Sequence, residues 1–198
     1  MTKRIIGLTG GIATGKTTVT NYLANTYNLP IFDADIYARE AVSLGSPILR
    51  AIAQRYSEKI LLADGNLNRQ KLGEIIFNDE NERNWLESLI HPYVRDRFVE
   101  AITKSASEIA ILVVPLLFEA GMTDLVTEIW VVHCSEEQQL KRLIQRNHLD
   151  REQAQARIDS QLAIAEKMAR ANVVLDNSST LEILHKQVDT ALKSITVK

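Results

Sequence analysis

The stretch Ile5-Ile-Gly-Leu-Thr-Gly-Gly-Ile-Ala-Thr-Gly-Lys-Thr-Thr18 decides the fold of this chain. It carries the spacing G-x-x-x-x-G-K-[ST], with Gly10, Gly15, Lys16 and Thr17 at the fixed positions. An apolar run precedes the motif and apolar residues at helical spacing follow it. The pattern therefore predicts a strand, a phosphate-binding loop and a helix, in that order. The helix N-terminus would add unpaired N–H groups and the positive end of its dipole to the loop.

The chemistry of such a loop predicts which residues hold a nucleotide. Glycines let successive main-chain N–H groups turn towards phosphate oxygens. Lys16 is expected to reach the outer phosphates, and the Thr17 hydroxyl is expected to be a ligand of Mg²⁺. The nucleotide-binding residues predicted from this stretch are Gly10, Gly11, Ile12, Ala13, Thr14, Gly15, Lys16, Thr17 and Thr18.

The composition is that of an ordinary globular protein without a strong charge bias. Of the 198 residues, 45% are hydrophobic and 24% are charged, and the formal net charge is −2. No block of like charge suggests a nucleic-acid or membrane surface, so we expect neither partner. Cys134 is the only cysteine, which excludes an internal disulfide and favours a reducing compartment. Without a signal-like N-terminus or a membrane-spanning apolar stretch, we expect a cytoplasmic protein, a monomer or a weak homo-oligomer.

Five short apolar runs predict buried strands. Near-continuous apolar runs suit a parallel sheet that helices cover on both faces, and helical patterns lie between these runs. We therefore predict an α/β chain with the three-layer fold of P-loop NTPases, built on a five-stranded parallel sheet. Its core would comprise residues 1–35, 109–134 and 172–198. The predicted strands are 4–9, 29–33, 109–114, 128–133 and 172–176.

A long gap separates the second and third predicted strands. It covers about residues 36–108, far more than one crossover needs. It contains helical patterns over 36–58 and 79–108, and turn signals at Gly45-Ser46-Pro47 and Asp64-Gly65-Asn66. We interpret it as a helical insertion that binds a second substrate. Pro92 within it is expected to end one helix or start another. A lone histidine such as His91 is more often a structural hydrogen-bonding group than a catalyst.

A second helical segment, about residues 135–171, predicts a lid. Two helices joined at their tips are expected there, the second beginning at Asp150 and carrying Gln161. Arg142 and Arg146 lie four residues apart on one face of the first helix. Spaced arginines usually mark a solvated face, but in a lid they could stabilise the charge on a transferring phosphoryl group.

Two absences favour a kinase over other nucleotide-binding classes. The sequence lacks the Asn-Lys-x-Asp and Asp-x-x-Gly motifs of GTPases. The apolar runs at 109–114 and 128–133 do not end in the acidic residue typical of a motor ATPase. Together with the helical insertion and the arginine-bearing lid, this favours a small-molecule kinase that uses ATP and Mg²⁺.

Two positions after strands are candidates for the reaction itself. Asp33 directly follows the second predicted strand, where ligand crevices form in such sheets, and could accept the proton of an attacking hydroxyl. Asp33 and Asp35 could instead only cap the next helix, and for Asp35 the two interpretations stand equal. Asn177 follows the fifth strand in a turn that could contact a base.

Six features, in order over about residues 4 to 178, resemble the dephospho-coenzyme A kinase family. The phosphate loop alone is shared by many families, but its combination with the other features is much more specific. In place of Ala13-Thr14 the family more often has Gly-Ser, and in place of Thr17 often Ser. The six features are Leu8-Thr-Gly-Gly-Ile-x-x-Gly-Lys-Thr17, Asp33-Ala-Asp35, His91-Pro92, Val114-Pro-Leu-Leu-Phe-Glu119, Gln139-Leu-Lys-Arg142 with Arg146, and Asp176-Asn177.

The resemblance implies phosphorylation of the ribose 3′-hydroxyl of dephospho-CoA by ATP, the last step of coenzyme A synthesis. It also implies the fold of nucleoside monophosphate kinases, with a core, a helical acceptor-binding region and a lid. Asp33 would be the base, Lys16 and Arg142 would stabilise the phosphoryl group, and Asn177 would lie near the adenine. Arg146 would join the nucleotide-binding set. The residues implied on the acceptor side are Asp33, Asp35, His91, Pro92 and Glu119.

Two alternatives stay open at this point. One is a kinase for another small hydroxylated metabolite or nucleotide, which a panel of acceptors would separate from the first interpretation. The other is a non-catalytic, nucleotide-responsive binding protein, which would bind ATP without forming a phosphorylated product. In that protein Asp33→Asn would change little.

Overall fold

The computed structural model describes residues 3–194 and builds them around one five-stranded sheet. Its strands are β1 (Arg4–Gly10), β2 (Ile31–Asp33), β3 (Ile109–Val113), β4 (Glu128–His133) and β5 (Val173–Asp176). Their order across the sheet is β2-β3-β1-β4-β5. β1 pairs in parallel with β3 and β4, and β4 pairs in parallel with β5. The predicted α/β class and the five predicted strands are confirmed, with boundaries that differ by up to two residues.

Helices precede or follow each of these strands. α1 begins within the phosphate-loop motif itself, so β1, the loop and α1 follow one another as predicted. The described helices are α1 (Lys16–Tyr27), α2 (Ala34–Ala41), α3 (Pro47–Tyr56), α4 (Arg69–Asn78), α5 (Glu80–Lys104), α6 (Glu136–Asn147), α7 (Arg151–Asp159), α8 (Ile164–Ala169) and α9 (Leu181–Lys193). Within residues 3–194, no helix is both long enough and apolar enough to cross a membrane.

The core of the sheet is centred on β1 and β4. Leu8 of β1 and Trp130 of β4 have no exposed surface, and they share one cluster with Leu23 of α1 and with Leu184 and Val188 of α9. Burying each side chain of this kind contributes about 1.5–3 kcal/mol to the stability of the fold. This packing fixes the carboxyl end of β1, from which the phosphate loop leaves.

The chain divides into two compact units. One contains the residues up to 32 and those from 104 onward, and holds the phosphate loop, α1 and α6–α9. The other, residues 33–103, is helical and has its own apolar core, which includes Ile52, Leu72 and Leu86.

An ion pair inside the helical unit joins α3 to α5. Arg55 Nε lies 2.6 Å from Glu82 Oε2, and the Arg55 guanidinium lies over the Trp85 ring at 4.4 Å from its centre. The Tyr56 hydroxyl donates to the same carboxylate. Hydrogen bonds from Arg55 and Tyr56 outweigh the opposing effect of desolvation and lower the pKa of Glu82 to about 2.

One prediction for the helical segment needs correction, and one is confirmed. α5 runs without interruption from Glu80 to Lys104, so the prediction that Pro92 ends or begins a helix is wrong. The proline removes one main-chain hydrogen bond, but buried residues of the same helix, among them Phe98, hold it together. The helical pattern over 36–58 is two helices divided at the predicted turn signal, where Gly45 has φ 81° and Ser46 caps α3 by accepting from Leu49 N.

Candidate active site

The phosphate loop has the main-chain geometry that its glycines allow. Gly10 and Gly15 have φ values of 145° and 107°. A Cβ on Gly10 would lie 2.2 Å from the carbonyl oxygen of Val132. The loop therefore lies directly against β4, and no larger residue fits at that position. Ala13 has φ 60°, a left-handed conformation that glycine would adopt at lower cost.

Buried side chains hold the loop from several directions. The Thr14 hydroxyl donates to Gly11 O at 2.9 Å, and Asn177 Nδ2 donates to Thr14 O at 2.8 Å. Gln139 Nε2 donates to Ile12 O at 2.9 Å. Thr14, Gln139 and Asn177 are all at least nine-tenths buried. The loop is thus fixed by side chains from α6 and from the turn after β5.

A cavity of about 480 Å³ brings together six predicted nucleotide-binding residues. Lys16 and Thr17 enter it from the start of α1, and Arg142 and Arg146 enter it from α6. Three of these four side chains are cationic, so the cavity favours an anionic ligand. Its lining is Ala13, Gly15, Lys16, Thr17, Arg142, Gln145 and Arg146.

The cationic groups of this cavity differ in their hydrogen bonds. Lys16 Nζ donates to the carbonyl oxygens of Gly10 and Gly11 at 3.0 and 2.8 Å. Arg142 Nη2 donates to Asn177 O at 3.2 Å. Arg142 Nη1 is buried and has no hydrogen-bond partner among residues 3–194. A buried donor without a partner is costly, which fits a guanidinium that completes its bonds on a bound anion.

Cys134 lies at the end of β4, next to the start of α6. Its thiol is unpaired and buried. Burial raises the pKa of the Cys134 thiol, and the neighbouring Arg142 guanidinium offsets this only in part. Cys134 is therefore a packed apolar residue at the edge of the site rather than a nucleophile.

The lid segment contains three helices rather than the two predicted. Ser135 caps α6 by accepting from Gln138 N, and Asp150 caps α7 in a capping box with Gln153. Both helix starts are therefore confirmed. However, α7 ends at Asp159, so Gln161 lies beyond it and not within a second long helix. The short helix α8 follows, and its Lys167 is fully buried.

Asp33 occupies the N-cap position of α2. Its Oδ1 accepts from Asp35 N at 2.8 Å, and its backbone is extended, as a cap requires. The helix-capping interpretation of Asp33 is therefore correct as geometry. It uses one carboxylate oxygen, so it does not exclude a second role for Oδ2.

Glu119 is bonded to the segment that was predicted to be a lid. Its Oε1 lies 2.8 Å from Lys167 Nζ and accepts from Leu162 N at 3.1 Å. Desolvation alone would raise the pKa of Glu119, but the bonds from Lys167 and from main-chain N–H groups outweigh it and lower that pKa. Lys167 Nζ also donates to Pro115 O at 3.2 Å. These contacts give Glu119 a structural role in addition to its predicted role in binding the acceptor substrate.

The remaining predicted residues have plain positions. His91 is half-buried and Pro92 is exposed, both on α5 in the helical unit. Arg146 Nε donates to Asn147 Oδ1 at 2.9 Å and is exposed at the cavity. The Asn177 side chain is directed at the loop carbonyl of Thr14.

Sequence similarity identifies the family to which this site belongs. The dephospho-CoA kinase family pattern matches residues 4–182. A dephospho-CoA kinase of Trichormus variabilis is 73% identical over 192 residues, which cover 97% of this chain and 98% of the relative. The chain belongs to the dephospho-CoA kinase family. That membership confirms the resemblance drawn from the sequence motifs.

Solved structures agree with the dephospho-CoA kinase assignment. The dephospho-CoA kinase of Campylobacter jejuni is 30% identical, with a TM-score of 0.71 over 97% of this chain and 96% of that one. A shikimate kinase from Acinetobacter baumannii covers 100% of this chain and 97% of its own, with a TM-score of 0.58 and 17% identity. The second likeness concerns the fold alone.

Among the residues that hold the site, Gln139 entered the sequence analysis only within the family motif, Gln161 only as a residue of the predicted lid, and Lys167 not at all. Gln139 shares a helical face with Leu143, four residues on, and both are buried. That spacing was a usable signal that Gln139 faces inward. Gln161 and Lys167 carry no comparable signal, because polar residues near short helices are usually exposed.

Proposed function

We propose that this dephospho-CoA kinase family member transfers the γ-phosphoryl group of ATP to the ribose 3′-hydroxyl of dephospho-CoA, giving coenzyme A and ADP. The observation that carries the proposal is the cavity in which Lys16, Thr17 and Arg142 meet at the phosphate loop. We further propose that the protein acts in the cytoplasm as a monomer or weak homo-oligomer.

The loop would bind the phosphates of ATP through its main chain. Its glycine-dependent turns and the N-terminus of α1 supply N–H donors and a positive dipole end at one place. Arg142 and Arg146 line the same cavity, while Asn177 holds the loop at Thr14. Contact of Asn177 with the adenine remains a prediction, since its amide is already bonded to the loop.

Transition-state charge would be stabilised by cations already placed at the cavity. Lys16 would exchange its bonds to Gly10 O and Gly11 O for bonds to a phosphate oxygen. Arg142 has a buried Nη1 to offer, and a fixed guanidinium needs little reorganisation as charge develops. Arginines in this position contribute about 10³–10⁵ in rate in other phosphoryl-transfer enzymes.

Thr17 is the residue that fits a Mg²⁺ ion. It is an exposed oxygen donor at the cavity, and Mg²⁺ typically takes one or two protein oxygens and completes its shell with water and phosphate. Among residues 3–194 there is no group of three or more His, Cys, Asp or Glu side chains that could hold a metal alone. Mg²⁺ bound with ATP would neutralise phosphate charge.

Asp33 would take the proton of the acceptor. As the 3′-oxygen forms its bond to the γ-phosphorus, the O–H bond breaks and the proton passes to Asp33, while ADP leaves with the bridging oxygen. General-base help of this kind is worth about 10²–10⁴ in rate. The Oδ1 cap on Asp35 N holds the carboxylate in one orientation.

The helical unit would bind the rest of the acceptor. Within it, a cleft of about 330 Å³ combines apolar walls, such as Leu72 and Leu86, with Arg39, Arg69 and Asp35. Apolar walls suit a pantetheine arm, and arginines suit a diphosphate. His91 and Pro92 on α5 belong to the same unit.

A coupled ADP-release assay tests the reaction. We expect ADP to form when ATP, Mg²⁺ and dephospho-CoA are all present, with one phosphate added at the 3′ position by mass spectrometry. Turnover of a nucleoside or of shikimate, with none of dephospho-CoA, would instead favour a kinase of another specificity. ATP binding without any phosphorylated product would favour a binding protein.

Asp33→Asn tests the base, and Asp79→Asn is its matched control. Asp79 Oδ1 accepts from Asn81 N at 2.8 Å in front of α5, as Asp33 Oδ1 accepts from Asp35 N in front of α2. Asparagine caps helices as well as aspartate does. We expect Asp33→Asn to lose about 10²–10⁴ in kcat with ATP affinity kept, and Asp79→Asn to stay at the wild-type rate. Equal rates for the two variants would leave Asp33 as a cap only.

A further inference from the structure

Ile12 in the phosphate loop has both of its main-chain polar groups bonded to side chains. Its carbonyl oxygen accepts from Gln139 Nε2, and its N–H donates to Gln161 Oε1, each at 2.9 Å. The two bonds hold two consecutive peptide planes: Gln161 accepts from the N–H of the Gly11–Ile12 peptide, and Gln139 donates to the carbonyl oxygen of the Ile12–Ala13 peptide. The Gly11–Ile12 peptide is also held at its other end, because Gly11 O accepts from the Thr14 hydroxyl and from Lys16 Nζ.

Gln139 is built into the interior to make this contact. It lies on α6, is only 4% exposed, and is among the few buried polar residues of the described chain. A Cβ on Gly11 would lie 2.6 Å from Gln139 Nε2, so the amide is packed against the loop main chain itself. Burying a side-chain amide is unfavourable unless its hydrogen bonds are made. The contact with Ile12 O satisfies that requirement.

Gln161 comes from the other side, between α7 and α8. The next residue, Leu162, donates its N–H to Glu119, which pairs with the buried Lys167. The segment that carries Gln161 is therefore anchored independently of the loop. It presents the Gln161 acceptor to Ile12 from a fixed base.

We propose that Gln139 and Gln161 are positioning residues for nucleotide binding, which together fix the orientation of the two peptides on either side of Ile12. This inference rests on the proposed binding of ATP phosphates by the loop. A peptide that rotates exchanges its N–H for its C=O, and a carbonyl oxygen turned towards a phosphate repels it. With the N–H of Ile12 bonded to Gln161, the phosphate donors are the N–H groups that follow it in the loop, and Ile12 acts through its fixed orientation.

Donor and acceptor roles make the two glutamines respond differently to the same substitution. Gln161→Glu keeps the acceptor oxygen but adds a negative charge beside the loop, so we expect it to raise the KM for ATP by less than Gln161→Met does. Gln161→Met removes the acceptor and should raise the KM for ATP by about tenfold. Gln139→Met removes the donor and should raise the KM for ATP by about tenfold or more. Gln54→Glu, on an exposed face of α3, is the control for added charge.

A pH series on Gln139→Glu separates positioning from simple packing. A glutamate at this buried site donates to Ile12 O only when protonated. We therefore expect the ratio of its KM for ATP to that of wild type to shrink as the pH falls from about 8 to about 6. A packing role alone would give a ratio that does not change with pH.

Three results would decide against the proposal. Folded Gln139→Met and Gln161→Met proteins with wild-type KM and kcat for ATP would overturn it. If Gln139→Met does not fold, Gln161→Met at its less buried site still provides the test. A fully active Lys16→Ala would refute the proposed phosphate site itself, which is a different outcome from active glutamine variants beside an inactive Lys16→Ala.

Discussion

The side-chain amide of Asn177 donates to the main-chain carbonyl of Thr14 at 2.8 Å, a contact that spans 163 residues of sequence. Both residues are buried. A Cβ on Gly15 would lie 2.0 Å from the same Nδ2 atom, so the turn after β5 fits closely against the loop. Nucleotide binding should therefore depend on Asn177 through the shape of the loop.

Asn177→Asp tests this dependence with an isosteric change. The carboxylate cannot donate to Thr14 O and adds a negative charge next to a phosphate-binding loop. We expect the affinity for ATP to fall about tenfold or more, measured by calorimetric titration with ATP and Mg²⁺. Asn25→Asp, on an exposed position of α1, is the control. Equal ATP affinities for the two variants would contradict the prediction.

Ala13 carries a conformational cost that substitution can measure. Its φ of 60° lies in the left-handed region, which costs an L-residue roughly 1–2 kcal/mol. Ala13→Gly removes this cost but gains unfolded-state entropy, so we expect a rise of at most about 1 kcal/mol in the free energy of unfolding. Ala13→Val should lower that free energy, because a β-branched residue is strained there. In urea denaturation, the free energy of unfolding should decrease in the order Ala13→Gly, wild type, Ala13→Val. If Ala13→Val were the most stable of the three, the argument would be refuted.

The Glu119–Lys167 pair should respond unequally to the loss of each partner. Lys167 is fully buried, whereas the Glu119 side chain is 27% exposed. Glu119→Gln leaves a buried ammonium without its counter-charge, and removing one partner of a buried pair typically costs about 3–5 kcal/mol. Lys167→Met leaves a carboxylate that water can reach, so its cost should be smaller. Thermal melting of both variants tests whether Glu119→Gln is the less stable one. A lower Tm for Lys167→Met than for Glu119→Gln would contradict the prediction.

Glu82 should make stability depend on acid pH. Its folded pKa of about 2 lies below its ordinary value, chiefly because of the bond from Arg55. A lowered carboxyl pKa stabilises the fold at pH values above the ordinary value, and that stability is lost as the pH falls towards the folded pKa. We expect the Tm of wild type to fall between pH about 4.5 and about 2 more steeply than that of Glu82→Gln. Parallel curves would mean that the pair does not stabilise the fold.

Much of the site was predictable because its chemistry is local. The loop from Gly10 to Thr18 combines a strand end, glycines and a helix start within one short segment, so its sequence determines its geometry. The positions of Arg142 and Arg146 followed from helical spacing on α6, and the cavity contains both. The caps at Ser135 and Asp150 were equally local.

What could not be predicted depends on tertiary contact. Taken alone, Pro92 predicts a helix boundary, but packing of the buried residues of α5 outweighs the preference of proline to interrupt a helix. The partners of Glu119 and of Ile12 come from segments more than 40 residues away, and no sequence pattern names them. Asp33 was predictable only in part. Its position directly after a strand was clear from the sequence, but its role as a cap on Asp35 N was one of two interpretations left open.

Cys134 gives this chain a built-in reporter. It is the sole thiol, it is buried, and its raised pKa keeps it protonated, so an alkylating reagent can modify it only when the end of β4 opens transiently. The labelling rate of the unmodified protein would therefore report how often the carboxyl end of β4, beside Arg142, opens. No introduced label or second cysteine would confuse the signal.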